Sequence, residues 1–449
     1  MSGGVLAVFD SSTYHIWHGL SPMADFFRLS DPEMFLVGGS GCHVTDRSGR
    51  RYLDARSSMW NVTLGYSCEP VKEAMRRQLD VLPSGTVMRY EHPAEVAARY
   101  AAALAGVLPE PLRQIRFGNT GSQMTEAAVM LSRFHRRMTG EPGRQHVVAV
   151  HGSYHGTGPL ASALTGEEFL HDLCGPIDTH VGYAQTPPAE SCEGSVQNCS
   201  CVRPVLDVID SIGAEQVTAV ILEPVIGSYV LSPRGHYLES LVAQCRARGI
   251  HFIADEVTTG AGRTGRMTLS ERLPEPPDMI VLGKGLSAGY FPLAALAVAQ
   301  PLYDELADSG HRVGFPNGST TDGHPIGMAA GLAVLDVLTA PGFLEGVRRT
   351  GEHLRGLIMD VLGDRDEVRG VRGEGLMLGV DLAYPDGTPW SVGDTNQLRL
   401  VCRDHGLLTS FTRGVLPLLP PLVITDDECA ELVDRLGAAL LEFRKRTEG

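Results

Sequence analysis

Basic residues are in short supply: 38 Lys and Arg stand against 53 Asp and Glu, a formal net charge of -15 over 449 residues. Affinity for nucleic-acid phosphates rests on an excess of Lys and Arg, so no nucleic-acid partner is expected. No run reaches the roughly 18 apolar residues of a membrane helix, and no membrane partner is expected either. The opening stretch MSGGVLAVFDSSTYHIWH lacks a basic segment followed by an apolar one, so a secretory leader is not expected. Cysteine is sparse, nine in all, odd in number and scattered, which suits a reducing cytoplasm better than a disulfide framework. Cys192, Cys199 and Cys201 lie close together without a fourth ligand or a C-x-x-C pair. They read as free thiols on a surface loop, and no metal is expected. Internal repeats and low-complexity tracts are also absent.

What is present is a 43% hydrophobic content, enough for a large core and two or three domains. From about residue 112 to 300, short apolar runs alternate with amphipathic stretches. The runs QIRF (114–117), HVVAV (146–150), VTAVIL (217–222), IHFIA (250–254) and MIVL (279–282) read as buried strands. Between the third and fourth, HYLESLVAQCRARG places Leu238, Leu241, Val242 and Cys245 at helical spacing, with Gly249 as a stop. Strand, helix and strand at this rhythm make crossover units and a mostly parallel sheet, an α/β fold. Near the start, GSGCHVTDRSGRRYLDA reads as a hairpin turning at Asp46–Gly49. Residues 186–203 read as a long surface loop, and 325–338 as a helix. The expected division is a large domain over 66–335 and a smaller α+β one formed by 1–65 and 336–449.

Ligands of parallel sheets sit beyond the C-terminal ends of the strands, and those ends carry the chemistry here. After IRF comes a turn, Gly118 to Ser122, opening into a helix. Gly121 lets the backbone come close, while Ser122 offers a hydroxyl and a helix cap. Free N–H groups and the helix dipole there suit one phosphate, although an ordinary capped turn reads the same way. Asp255 ends HFIA, where a carboxylate is costly unless it is solvated or meets a cation. Lys284 follows MIVLG between Gly283 and Gly285, glycines that relieve crowding around an inward-reaching side chain. Partial desolvation would lower its pKa, as imine chemistry requires. Glu223 ends TAVIL on the same side, and Tyr154 in HGSYHGTG can stack on a flat ring. Each signal is weak alone; phosphate turn, stacking aromatic, strand-end acid and strand-end lysine, in that order along the chain, are strong together.

One motif misleads. Gly260-Ala261-Gly262-Arg263-Thr264-Gly265 matches G-x-G-x-x-G, yet a dinucleotide fingerprint opens straight into an apolar helix. Here RMTLSERLPEPPD follows, polar and broken by prolines. A nicotinamide site is rejected.

The stretches FIADEVTTGAGRTGRM and PDMIVLGKGLSAGYFPLAA resemble the cofactor-lysine motif of the class III aminotransferases. GSGCHVTDRSGRRYLDA with LGYS, NGSTTDGHPIGMAAGLAVL and GLLTSFTRGVLPLLPPLVIT resemble that family's other motifs, covering the chain from about residue 15 onward. The resemblance implies fold type I: a seven-stranded-type, mostly parallel sheet flanked by helices, with a smaller domain from both termini. It implies pyridoxal 5′-phosphate (PLP) as cofactor, held by Lys284 as a Schiff base, with Lys284 then moving protons. It implies that Asp255 pairs with the ring nitrogen, that Val257 and Tyr154 pack on the two ring faces, and that Gly121 and Ser122 bind the phosphate. Thr320 would reach the phosphate from the second subunit of a homodimer. Glu223 would lie near the cofactor's 3′-oxygen side or the substrate.

HIWHGLSPM and RSSMWNV are most similar to diaminopelargonate aminotransferase, where an aromatic pair shapes the substrate pocket. Trp60 matches, whereas Met59 and Leu20 replace aromatic residues. The arginine that relatives use for a substrate carboxylate is also missing: Ser410 and Pro417 stand at its two usual places. Arg413 is the nearest substitute in sequence. These departures point to a specialised substrate, as in secondary metabolism. The expected reaction is ping-pong transamination between an amine or amino acid and a carbonyl acceptor. The same scaffold also serves decarboxylases, aminomutases, racemases, lyases and carbon–carbon bond formation from an amino acid such as S-adenosylmethionine.

Overall fold

The computed structural model describes residues 14–30, 34–167, 170–171, 178–188, 195–197, 199–233, 235–308, 310 and 314–448. Helix α1 (Met23–Leu29), strands β1 (Leu36–Ser40), β2 (His43–Asp46) and β3 (Arg51–Asp54), a single distorted turn α2 (Ser57–Trp60), and helices α3 (Glu69–Val81) and α4 (Glu95–Ala105) come first. The middle alternates β4 (Leu112–Gly118), α5 (Gly121–Met138), β5 (His146–Val150), α6 (Pro159–Leu164), β6 (Val181–Ala184) and α7 (Arg203–Ile212). It continues through β7 (Val217–Leu222), α8 (Tyr237–Ala247), β8 (His251–Asp255), β9 (Met279–Leu282) and β10 (Ala294–Ala299). Helices α9 (Gln300–Asp308), α10 (Pro325–Leu338) and α11 (Phe343–Leu362) lead to β11 (Val368–Glu374) and β12 (Met377–Leu382). Last come α12 (Val392–Asp404), β13 (Leu407–Leu408), β14 (Val415–Leu418) and α13 (Asp426–Glu448).

Strands β7, β8, β9 and β10 are buried at every position. Apolar runs without polar alternation need cover on both faces, which is why helices flank this sheet. The pleat sends Ile221, Ile253 and Val281 to the side of α5, where they meet Met124, Ala127 and Ala128. Their neighbours Val220, Phe252 and Ile280 join the other core with Leu241 and Cys245 of α8. The seven strands run in the order β4-β10-β9-β8-β7-β5-β6. Strands β6, β5, β7, β8 and β9 pair in parallel, while β10 runs antiparallel to both β9 and β4. The chain thus has the α/β architecture expected, with β6 and the alanine-rich β10 as the two strands not anticipated.

The terminal segments share a sheet of order β1-β2-β3-β13, in which β3 and β13 pair in parallel. The hairpin of β2 and β3 turns where expected, with the Gly49 N–H donating to the Asp46 carbonyl. The loop 186–203 needs correction. Cys192 lies outside the described residues, but Cys199 and Val202 are buried in the main core, and Arg203 already begins α7. The approach to a helix whose first turn packs on the sheet cannot stay on the surface. Among the described residues, no single helix is long and apolar enough to cross a membrane.

Candidate active site

Three adjacent parallel strands end at one edge of the sheet, and each end carries a charged group. Asp255 closes β8, Glu223 follows β7, and Lys284 stands two residues after β9. The ladder pairs Leu222 with Ala254 and Asp255 with Val281, so the register itself gathers these side chains. Asp255 is 3% exposed. Its Oδ2 accepts a hydrogen bond from His155 Nδ1 at 2.6 Å, and its Oδ1 accepts from the Val257 N–H at 3.1 Å. A carboxylate only accepts, so Nδ1 carries a proton. The His155 Nε2 is buried with no hydrogen-bond partner among the described residues.

Glu223 is equally buried, with its oxygens accepting from the N–H groups of Tyr154 at 2.9 Å and Gly227 at 3.1 Å. Burial, and then the charge of Asp255, push its carboxyl up to about 7. The Lys284 amine donates to Thr258 Oγ1 at 2.6 Å and lies 4.8 Å from the centre of the Trp60 ring. Burial lowers its pKa below the usual lysine range, although Glu223 and Asp255 pull the other way. A lysine so placed can be uncharged part of the time, which is what attack on a carbonyl needs. Its backbone sits at φ 38°, a left-handed conformation costly for a residue with a side chain.

The flanking glycines are required by packing. A Cβ on Gly285 would stand 2.9 Å from Thr63 Cγ2, and one on Gly283 would stand 3.2 Å from Val257 Cγ1. A Cβ on Gly121 would meet Val257 at 2.9 Å, so Val257 fills the space between the α5 N-terminus and the lysine loop. Thr120, and not Ser122, caps α5: its Oγ1 accepts from the Gln123 N–H at 3.1 Å. The expected turn is therefore shorter, and Gly121 and Ser122 belong to the first helical turn. Ser122 Oγ instead accepts from the Thr157 N–H at 3.3 Å. With the cap serving Gln123, the N–H groups of Gly121 and Ser122 have no intrahelical acceptor, a cradle for an anion.

The opposite wall comes from the termini. Ser57, Ser58 and Trp60 all have positive φ, at 48°, 59° and 69°. Such strain persists only where the surroundings over-determine it. Here Asp54 accepts from the N–H groups of Arg56 and Ser58, and the Ser57 hydroxyl donates to the Leu419 carbonyl at 2.7 Å. Arg263, 1% exposed, donates to Ser57 Oγ and to the carbonyls of Leu376 and Pro420. The misleading glycine motif is thus a structural clamp: Gly262 and Gly265 take positive φ around that arginine, and no helix follows. Trp60 Nε1 donates to Ser410 Oγ at 2.9 Å, which orients its ring towards Lys284.

Lys284, Asp255, Glu223, Tyr154, Val257, Gly121, Ser122 and Trp60 are therefore linked by these contacts. Tyr154 is 36% exposed. Thr320 and Arg413 are exposed, with Arg413 near the Tyr229 hydroxyl. Sequence reasoning missed His155, Thr258 and Ser410 as site members. His155 stands next to Tyr154 beyond a strand end, so the rule that found Tyr154 could have found it. Among the described residues, no group of three His, Cys, Asp or Glu could hold a metal. The buried acid beside an acceptor-lacking helix N-terminus and a half-desolvated lysine fits a cofactor with a basic ring nitrogen, a carbonyl and a phosphate.

Comparison with known proteins agrees with that fit. The family "Aminotransferase class-III" matches residues 28–440. An adenosylmethionine-8-amino-7-oxononanoate aminotransferase of Nitratidesulfovibrio vulgaris is 30% identical over 440 residues, covering 95% of this chain and 80% of that protein. An (S)-enantioselective omega-transaminase from Thermomicrobium roseum superposes with a TM-score of 0.89 at 30% identity, over 96% of each chain. An amine transaminase from an uncultivated Pseudomonas species, solved with PLP bound, superposes with a TM-score of 0.87 at 29% identity, over 95% of this chain and 98% of that one. The outcomes other than transamination find no support among these relatives. A match of this length, to proteins that share the whole architecture, makes the chain a member of the class III aminotransferases, a PLP-dependent family.

Proposed function

We propose that the strand-end cluster around Lys284 transfers an amino group between a small-molecule amine or amino acid and a carbonyl acceptor. The observation that carries this reading is the half-buried Lys284 amine, held by Thr258 and capped by the Trp60 ring, beyond neighbouring strand ends that carry Asp255 and Glu223. When bound, PLP supplies a carbonyl carbon for the amine and a ring that accepts the electron pair left by a departing Cα proton. Asp255 would hold the proton on the ring nitrogen, and the short His155 bond keeps that carboxyl group aimed. Gly121 and Ser122 would bind the phosphate through their free N–H groups, while Val257 and Tyr154 would pack on the two ring faces. Lys284 would hold the cofactor through its amine and would move a proton at that same nitrogen, which Thr258 Oγ1 fixes. Glu223, pushed up to about 7, retains its proton for much of the time at neutrality. It can then donate a hydrogen bond towards the cofactor's oxygen side or the substrate. One site serving both substrates implies a ping-pong order, carbonyl product leaving before the acceptor enters.

The exposed Thr320 fits a homodimer in which each chain's threonine serves the other's phosphate. The described cysteines, all free, fit a reducing cytoplasm. Ser410 at the usual arginine position supports a specialised substrate, with Trp60 and Arg413 at its pocket. The test is an amine-donor screen on the holoprotein, following the cofactor's visible spectrum. A lasting shift on adding an amine supports the reading. If Lys284→Ala still formed a borohydride-reducible link at the same place, Lys284 would not be the anchor.

A further inference from the structure

Among the described residues, Arg56 and Arg399 are charges without counterparts. Arg56 stands one turn before Trp60, whose N–H donates to the Arg56 carbonyl. Its side-chain Nε is buried and has no hydrogen-bond partner. Arg399, half-buried on α12, donates from Nε to Asn396 Oδ1 at 2.8 Å and lies 5.3 Å from the centre of the Phe411 ring. Among the described residues, neither guanidinium meets a carboxylate within ion-pair distance. The acids nearby are occupied. Asp54 accepts from the N–H groups of Arg56 and Ser58 and from the Tyr66 hydroxyl. Asp394 is held by Tyr384 and Ser391, and Asp404 by Arg403.

Burial, then the repulsion of Arg56 and Arg403, push the Arg399 guanidinium down to about 10. A buried, unpartnered Arg56 Nε and a half-buried Arg399 guanidinium beside Phe411 are a standing cost that an anion bound at them would offset. Phe411 follows Ser410, which anchors Trp60 beside Lys284, so this pair adjoins the reaction site and lies on the side that lacks the usual arginine. We propose that Arg56 and Arg399, with Phe411 beside them, form an oxyanion subsite for the carboxylate or phosphate end of a substrate whose other end carries the reacting amine or carbonyl. This deepens the aminotransferase reading and rests on it: the substrate is bifunctional, anionic at the end remote from Lys284.

The test is isothermal titration of the holoprotein at low salt with hexanoate, butyl phosphate and hexanamide. Both oxyanions, or one of them, should bind where the amide does not, and the tighter one names the source of the charge. Arg399→Met and Arg56→Met should each weaken that binding about tenfold, as expected for a charge-assisted contact. Arg77→Met, which removes an exposed, remote arginine, should leave it unchanged. Arg399→Met should melt no lower than the parent, because it relieves repulsion. Should it fail to fold, Arg399→Lys, which keeps charge but loses the planar fork, is expected to weaken binding as well. Equal binding of amide and oxyanions, no oxyanion binding, or undiminished binding in the variants would overturn the subsite. A wild-type protein that takes up PLP without any Lys284-dependent spectrum sinks the aminotransferase reading instead, whatever the titration gives.

Discussion

Asp255 and Trp60 stand on either side of Lys284 and are held by opposite means. Asp255 rides on a strand whose two neighbours fix its position, and both of its oxygens are engaged within the large sheet's own loops. Trp60 rides on a left-handed turn held by neighbouring Asp54 and pinned from outside by Arg263, Ser410 and Leu419, residues from two distant parts of the chain. The cofactor side is rigid because the sheet is; the substrate side is strained, more exposed and leaves two arginines unmatched. Chemistry common to a family belongs on the first kind of support, and specificity can drift on the second without disturbing it.

If that division is right, the largest effect must come from the cofactor side. Lys284→Ala should lower kcat/KM by about 10⁴-fold, near the upper end for loss of a proton-transfer group, with loss of the cofactor's lysine-linked visible band. A residual rate within tenfold of the parent would break the comparison. Asp255→Asn should cost about 10²-fold in kcat, through loss of the carboxyl proposed to face the ring nitrogen, while binding of hexanoate by the holoprotein stays unchanged.

Glu223 sharpens the contrast through pH. Its folded pKa of about 7 lies above the ordinary 4.5, so the unfolded chain releases this proton first. The stability it contributes to the apoprotein is fully present below about pH 4.5 and falls away as pH rises to about 7. Glu223→Gln removes that loss. The variant's stability relative to the parent, read from urea titrations of the apoproteins, should therefore grow across this window by about 3 kcal/mol. A flat difference would mean that the carboxyl is solvated. Ser410→Ala frees Trp60 Nε1 and should raise the KM for amine about fivefold, with kcat little changed, the size of one neutral hydrogen bond. An effect on kcat alone would show that Trp60 belongs with the catalytic side.

Much of the sheet was legible in the chain. HVVAV, VTAVIL and MIVL form strands at the expected limits, because runs that short and apolar have no other buried use. Strand β10, AALAVA, escaped because alanine carries little strand preference and its place is set by β4 and β9 on either side. At the site, Lys284, Asp255 and Glu223 were found by one rule, charge at the end of an apolar run. His155, beside Tyr154 beyond a strand end, was open to the same positional rule, but its role as the partner of Asp255 depends on a residue 100 positions away in the chain. Ser122 was given a cap that Thr120 supplies, an ambiguity of two positions that only backbone angles resolve.

Local order therefore determined the strands, the helix beginning near Gly121 and the row of charges at the sheet's edge, because burial of alternating or continuous apolar residues is decided within a few positions. Tertiary structure alone decided that Trp60 leans on Ser410, that Arg263 ties the termini to the lysine loop, and that, among the described residues, Arg56 and Arg399 are left without an acid. Those outcomes depend on distance and desolvation between segments hundreds of residues apart, which no pattern along the chain encodes.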